Sequence, residues 1–234
     1  VCIPMFTFKQ FAVHQDRCGM KVGTDGVLLG AWARVEQCER ILDVGTGTGL
    51  VALMAAQRSR ANIVAIDLDT NAVKQAAANV AASPWSKRIQ VMETDVKHFE
   101  GFPFFDAILC NPPFFENSLK CPDSARTMAR HTDTLTFDEL ARSASCLLSS
   151  EGELSVIIPY DRSQDMTISA ACNGLFATRQ TVIVPVEGGK PKRILMAFTR
   201  EGAPHSIETL CIQDAERQYT PEYVSLVGDF YLKM

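Results

Sequence analysis

The stretch Ile41-Leu42-Asp43-Val44-Gly45-Thr46-Gly47-Thr48-Gly49-Leu50 decides the fold. Four residues of buried-strand character run into three glycines at alternate positions, and the apolar residues 50–58 then read as a helix. Glycines at such a point let the chain turn sharply and let a ligand approach where a Cβ would collide. The same alternation continues outward. Residues 62–66 read as a second strand, and 71–82 as an alanine-rich helix capped by Asp69 or Thr70 and stopped before Pro84. Third and fourth strands follow at 89–92 and 105–109. Thr136 or Asp138 opens a helix to about 149, a fifth strand covers 154–158, and a helix spans about 162–172. This spacing predicts crossovers and a mainly parallel sheet with helices on both faces. The last two strands, 176–184 and 193–199, are joined only by 185–192, too few residues for a crossover, so they must pair antiparallel. The expectation is one α/β domain over residues 1–234. It has a seven-stranded, mainly parallel sheet ending in an antiparallel C-terminal hairpin, with an N-terminal segment 1–35, a core 36–200 and a C-terminal extension 201–234.

Chemistry is expected where strands end. The glycine spacing is G-x-G-x-G, with Leu50 where G-x-G-x-x-G would need its last glycine. Asp67 closes the second strand, 22 residues after Gly45, where a carboxylate can accept from both hydroxyls of a ribose. Asp95, just past the third strand, can accept from an adenine amino group. A glycine turn with two acids at successive strand ends points to an adenosine-containing ligand, and NAD and S-adenosylmethionine both qualify. Asn111-Pro112-Pro113-Phe114 after the fourth strand decides between them. Each proline holds the residue before it extended, and neither has an N–H to donate. An amino group placed there could give one hydrogen to the Asn111 side-chain oxygen and another to the Pro112 carbonyl, while Phe114 offers a flat face on which a base can stack.

Composition excludes several classes. The chain has 234 residues, 47% hydrophobic and 21% charged, with mean hydropathy +0.02. A chain of this size buries roughly 70% of its unfolded surface, enough for one large core. No apolar run approaches the roughly 18 residues of a membrane span, and the N-terminus lacks the cationic-then-apolar order of a secretory signal. Eight cysteines at 2, 18, 38, 110, 121, 146, 172 and 211 include no C-x-x-C pair or C/H cluster. That scatter reads as reduced thiols of a cytoplasmic protein, with neither staples nor a metal site. The net charge is −4, yet 179–200 carries a local +4 and 1–24 a local +2. Such patches can serve a polyanion or be solvated surface.

The series D-V-G-T-G-T-G, A-I-D, Asp95 and N-P-P-F resembles the Rossmann-like class I S-adenosylmethionine-dependent methyltransferases that act on amino groups. The N-terminal segments Phe6-Thr7-Phe8-Lys9-Gln10-Phe11 and 17–32, with Ser83-Pro84-Trp85 and Phe230-Tyr231-Leu232-Lys233-Met234, narrow the resemblance. Over essentially the whole chain it is to the bacterial enzymes that methylate N6 of the adenosine 3′ to the anticodon in valine tRNA. The resemblance implies S-adenosylmethionine as cofactor, held by Asp43, Gly45, Gly47, Gly49, Asp67 and Asp95. It also places Lys21, Thr24 and Asp25 near the methionine part, where Lys21 suits its carboxylate and Asp25 its ammonium. Asn111, Pro112 and Phe114 would be catalytic. Phe114 departs from the family's usual N-P-P-Y, keeping the stacking face and losing the hydroxyl. The loop 115–133, with Arg126 and Arg130, is long enough to hold an unstacked base, and Arg17, Lys190, Lys192 and Arg193 suit phosphates. The expected partner is tRNA, with no obligate protein partner and no membrane. Competing readings are methylation of a protein glutamine amide or of DNA adenine, and a non-catalytic RNA-binding protein that kept the fold.

Overall fold

A computed structural model describes residues 5–18, 21–100, 104–112, 135–202 and 205–233. Strands β1 (Met5–Thr7) and β2 (Ala12–His14) form a small antiparallel hairpin, and α1 (Thr24–Trp32) follows. The crossover series is then β3 (Arg40–Val44), α2 (Leu50–Arg58), β4 (Asn62–Asp67), α3 (Thr70–Ala81), β5 (Ile89–Glu93) and β6 (Phe105–Cys110). It continues with α4 (Phe137–Leu147), β7 (Leu148–Pro159), α5 (Ser163–Cys172), β8 (Phe176–Val186) and β9 (Arg193–Thr199), and ends in β10 (Ser206–Gln213) and α6 (Pro221–Val227).

The large sheet runs β10-β8-β9-β7-β6-β3-β4-β5. Only β9 points against the others: it pairs antiparallel with β7 and β8, while the remaining ladders are parallel. The antiparallel hairpin expected from its short connection is therefore present. The count differs. The sheet has eight strands, not the seven expected, because β10, from the segment read as an extension, pairs parallel with β8 on its outer edge. Along β10 only Leu210 is buried, so this edge strand carries no apolar run of the kind that marks the inner strands.

Period-two alternation sorts the core into two layers. Ile41, Ile63, Ala107, Leu109 and Leu195 face one way and pack with α1, α2 and α6. Leu42, Val44, Val64, Ile108, Val156 and Met196 face the other way, with α4 and α5. Two short-range signals set the helix starts. Asp69 caps α3 by accepting from the Asn71 N–H, and Thr136 with Glu139 forms a capping box at α4. Among the described residues, no helix is long and apolar enough to cross a membrane.

Candidate active site

The register of the three central strands brings the sequence motifs together. Val44 pairs with Ile66 on one side and with Cys110 on the other. Gly45, Asp67 and Asn111 therefore leave three adjacent strands at one level, within about 10 Å given the ~4.8 Å strand spacing. This is the point where strand order reverses, β3 being followed on one side by β4 and on the other by β6. Parallel sheets open a crevice there.

The glycine turn is fixed from below and from the side. Gly45, Gly47 and Gly49 have φ of 70°, 56° and 83°, in the left-handed region. At Gly49, the N-cap of α2, a Cβ would also stand 3.4 Å from Ala76 of α3. Beneath the turn Asp43, 2% exposed, accepts from the Thr46 hydroxyl at 2.6 Å and the Ala52 N–H at 3.1 Å. Burial pushes its carboxyl up to about 7, although both hydrogen bonds pull the other way. Beside the turn, one oxygen of Asp67 accepts from the Gly47 N–H at 2.8 Å and the other from the Asp69 N–H at 2.9 Å.

A cavity of about 300 Å³ opens over this crevice. Gly45, Gly47, Asp67, Asp95, Asn111 and Pro112 line it, as the sequence suggests, together with Cys18, Leu68, Val96 and Cys110, which sequence reasoning missed. Leu68 and Val96 each directly follow an acid at a strand end, a signal that was available. Burial pushes the Cys110 thiol far up, so it forms a neutral wall and not a nucleophile. Asp95 accepts from the Lys97 N–H at 2.9 Å and lies 3.4 Å from its ammonium.

Other expected ligands stand elsewhere. Asp43 supports the turn from below, and Gly49 meets α3; neither lines the cavity. Lys21 donates to the carbonyls of Gln15 and of Cys18, so its ammonium braces the chain beside the cavity. Thr24 begins α1 and is exposed. Asp25 binds Arg193 at 2.8 Å, which ties together a residue expected at the cofactor and one expected at RNA. Lys190 and Lys192 are exposed on the β8–β9 turn. Because β8 points the same way as β6, that turn lies on the sheet edge that carries Asn111. Arg17 is exposed, 3.8 Å from Asp16. Phe114, Arg126 and Arg130 lie outside the described residues. Among those described, no group of three or more histidine, cysteine or acidic side chains could hold a metal ion.

A dinucleotide oxidoreductase would use the turn and the acids but has no need of an Asn-Pro pair of acceptors beside them. The fold and the site together define a class I methyltransferase. The methyltransferase small domain family matches residues 23–182. A protein from Phocaeicola vulgatus, named tRNA1(Val) (adenine(37)-N6)-methyltransferase, is 52% identical over 99% of both chains. One of the same name from Trichodesmium erythraeum is 46% identical over 97% of this chain and 98% of its own. The chain belongs to the tRNA1(Val) (adenine(37)-N6)-methyltransferase family. Among solved structures, one from Agrobacterium tumefaciens described as a predicted O-methyltransferase superposes with TM-score 0.66 at 24% identity, covering 88% of this chain and 96% of that one. At that identity the likeness speaks for the fold.

Proposed function

We propose that the protein methylates N6 of the adenosine 3′ to the anticodon in valine tRNA, using S-adenosylmethionine. The observation that carries this reading is the position of Asn111 and Pro112 on the cavity wall, one strand away from the glycine turn.

The cavity's chemistry suits the cofactor. Each Asp67 oxygen spends one lone pair on a backbone N–H and keeps another for a ribose hydroxyl. Leu68 and Val96 offer apolar walls for a planar base, and Asp95 an acceptor for its amino group. The positive φ at Gly47 keeps that part of the rim free of a side chain. When bound, S-adenosylmethionine supplies an electrophilic methyl group on a sulfonium that leaves as a neutral thioether. Asn111 and Pro112 act on the acceptor. An adenine amine is a poor nucleophile because its lone pair is delocalised into the ring. By accepting its two hydrogens, the Asn111 oxygen and the Pro112 carbonyl draw them out of the ring plane and localise that pair. The alkylated amine then loses a proton to water, so no basic side chain is required. Positioning supplies most of the acceleration, a contribution that reaches roughly 7–11 kcal/mol for well-aligned reactants.

Phe114, the last residue of the same motif, would stack on the base, and unstacking it from the anticodon loop costs a few kcal/mol. Lys190, Lys192 and Arg17 would meet phosphates, and tRNA makes the cytoplasm the place of action. The test is transfer of labelled methyl to total tRNA from a strain lacking the gene, with DNA and protein extract in parallel. Label recovered as N6-methyladenosine in tRNA supports the proposal. Label only in DNA or protein keeps the Asn111 chemistry and rejects the substrate.

A further inference from the structure

The buried polar side chains of α3 have a role that the transfer chemistry leaves unexplained. Asn79 is 0% exposed and Gln75 2%, in an alanine-rich helix. Such burial costs several kcal/mol unless each polar group finds a partner. Asn79 finds three. Its oxygen accepts from the His14 N–H at 2.9 Å, and its amide nitrogen donates to the His14 carbonyl and to the Thr48 carbonyl, both at 2.8 Å. Only one orientation of the amide satisfies all three, since the oxygen must face the N–H and the nitrogen the two carbonyls. Toward His14 the side chain thus acts as a strand partner would, exchanging both main-chain hydrogen bonds. Toward Thr48 it grips the glycine turn itself. One helical turn away, the Gln75 oxygen accepts from the Arg17 N–H at 2.9 Å.

These bonds join two parts of the chain that have no reason to meet by sequence. Residues 12–18 run as a strap from β2 past α3, and their last member, Cys18, is in the cavity wall. Cys18 stands so near the turn that a Cβ on Gly47 would lie 3.8 Å from its sulfur. The strap is closed on itself by Gln15, whose side-chain oxygen accepts from the Val22 N–H at 2.7 Å. On the same helix Ala72 lines the cavity and Ala76 packs on Gly49. One face of α3 therefore meets the cavity, the turn and the strap.

We propose that Asn79, assisted by Gln75, is a positioning residue that locks the N-terminal strap to the glycine turn and so completes the rim of the cofactor cavity. This rests on the reading of that cavity as the S-adenosylmethionine site. Asn79 touches no reacting atom. It acts on cofactor binding, not on the Asn111 end of the cavity, so its loss separates KM from kcat.

The experiment compares wild type, Asn79→Ala and the isosteric Asn79→Asp. Cofactor affinity is measured by calorimetry, and KM and kcat with tRNA as acceptor. Asp preserves the volume and the acceptor but removes both donors and turns a charge toward two carbonyls. Both variants are expected to raise the cofactor KM and Kd about tenfold or more, as loss of two net hydrogen bonds implies, with kcat within about threefold. An Asp variant of wild-type affinity would mean that Asn79 only fills space, which overturns the proposal. A parallel fall in kcat with unchanged KM overturns it as well. Hydrogen exchange on the unmodified protein covers the case in which the variants do not fold. Coupling is reciprocal, so saturating S-adenosylmethionine must slow exchange of the His14 and Arg17 amides. Unchanged exchange there, with the cofactor bound, refutes the coupling. Wild-type protein that binds no S-adenosylmethionine overturns the reading of the cavity, and this proposal with it.

Discussion

The carboxyl of Asp43 makes the stability of this protein depend on pH in a direction opposite to that of most acids. It lies 2% exposed under the glycine turn, and burial raises its pKa from the ordinary 3.8 to about 7. Nearby Asp67 pushes the same way, while the bonds from Thr46 and Ala52 oppose both without prevailing. In the unfolded chain the group releases its proton near pH 4; in the native state it holds it until about pH 7. Across that window the native state binds more protons, so stability falls as pH rises. At about 1.36 kcal/mol per pH unit the loss is on the order of 4 kcal/mol, complete by about pH 8. Asn at this position has the same shape, keeps an acceptor for the Thr46 hydroxyl and the Ala52 N–H, and does not titrate. Asp43→Asn should therefore gain on wild type steadily between about pH 4 and pH 7 and level off by about pH 8, by an amount of that order. Urea unfolding followed by circular dichroism at several pH values, read as the variant's stability minus that of wild type, measures the effect. Two curves that run parallel across the window would refute the reasoning, because they would show Asp43 ionised throughout at no cost.

Other substitutions report on other parts of the site. Asn111→Ala should lower single-turnover rate by 10²-fold or more, the scale seen when one preorganised polar contact to a reacting group is removed, while calorimetry finds S-adenosylmethionine affinity within about threefold. Gly49→Ala forces a side chain into φ +83° and against Ala76 at 3.4 Å. A cost of about 1–2 kcal/mol is expected, a drop of roughly 2–8 °C in Tm by calorimetric scan. Replacing Lys190 and Lys192 together by Ala should reduce the slope of log Kd for tRNA against log salt by about one per lost charge, read by filter binding. An unchanged slope would put the phosphates on another face.

The inner strands were readable because they are buried on both faces. Ile41-Leu42-Asp43-Val44 and Phe105-Asp106-Ala107-Ile108-Leu109 give short apolar runs that end at the chemistry, and a crossover fold fixes which ends lie together. The β8–β9 hairpin followed from a connection too short for anything else. β10 escaped because an edge strand with one buried residue leaves almost no hydrophobic signature. The hairpin of β1 and β2, three residues each, is below the length at which alternation carries information. The setting of Asp43 was hidden for a different reason. An acid before a glycine turn looks like a ligand, but Leu42 and Val44 face the α4–α5 layer, and alternation turns Asp43 to the other side, beneath α2. The pairing of Asp25 with Arg193 joins residues 168 apart, a separation that local pattern does not reach.

Asn79 and Gln75 show why the remaining misses gather around the site. In the run Asn71-Ala72-Val73-Lys74-Gln75-Ala76-Ala77-Ala78-Asn79-Val80-Ala81, polarity alone assigns both amides to solvent. The structure buries them because β2 and the residues that follow it pass over that face, and the N–H and C=O groups they turn toward α3 need satisfying. A helix of only alanine and valine would serve the core as well and would leave His14, Arg17 and Thr48 with unmet main-chain groups. Sequence rules for helices balance side chains against water. Here the balance is against backbone that arrives from some sixty residues away.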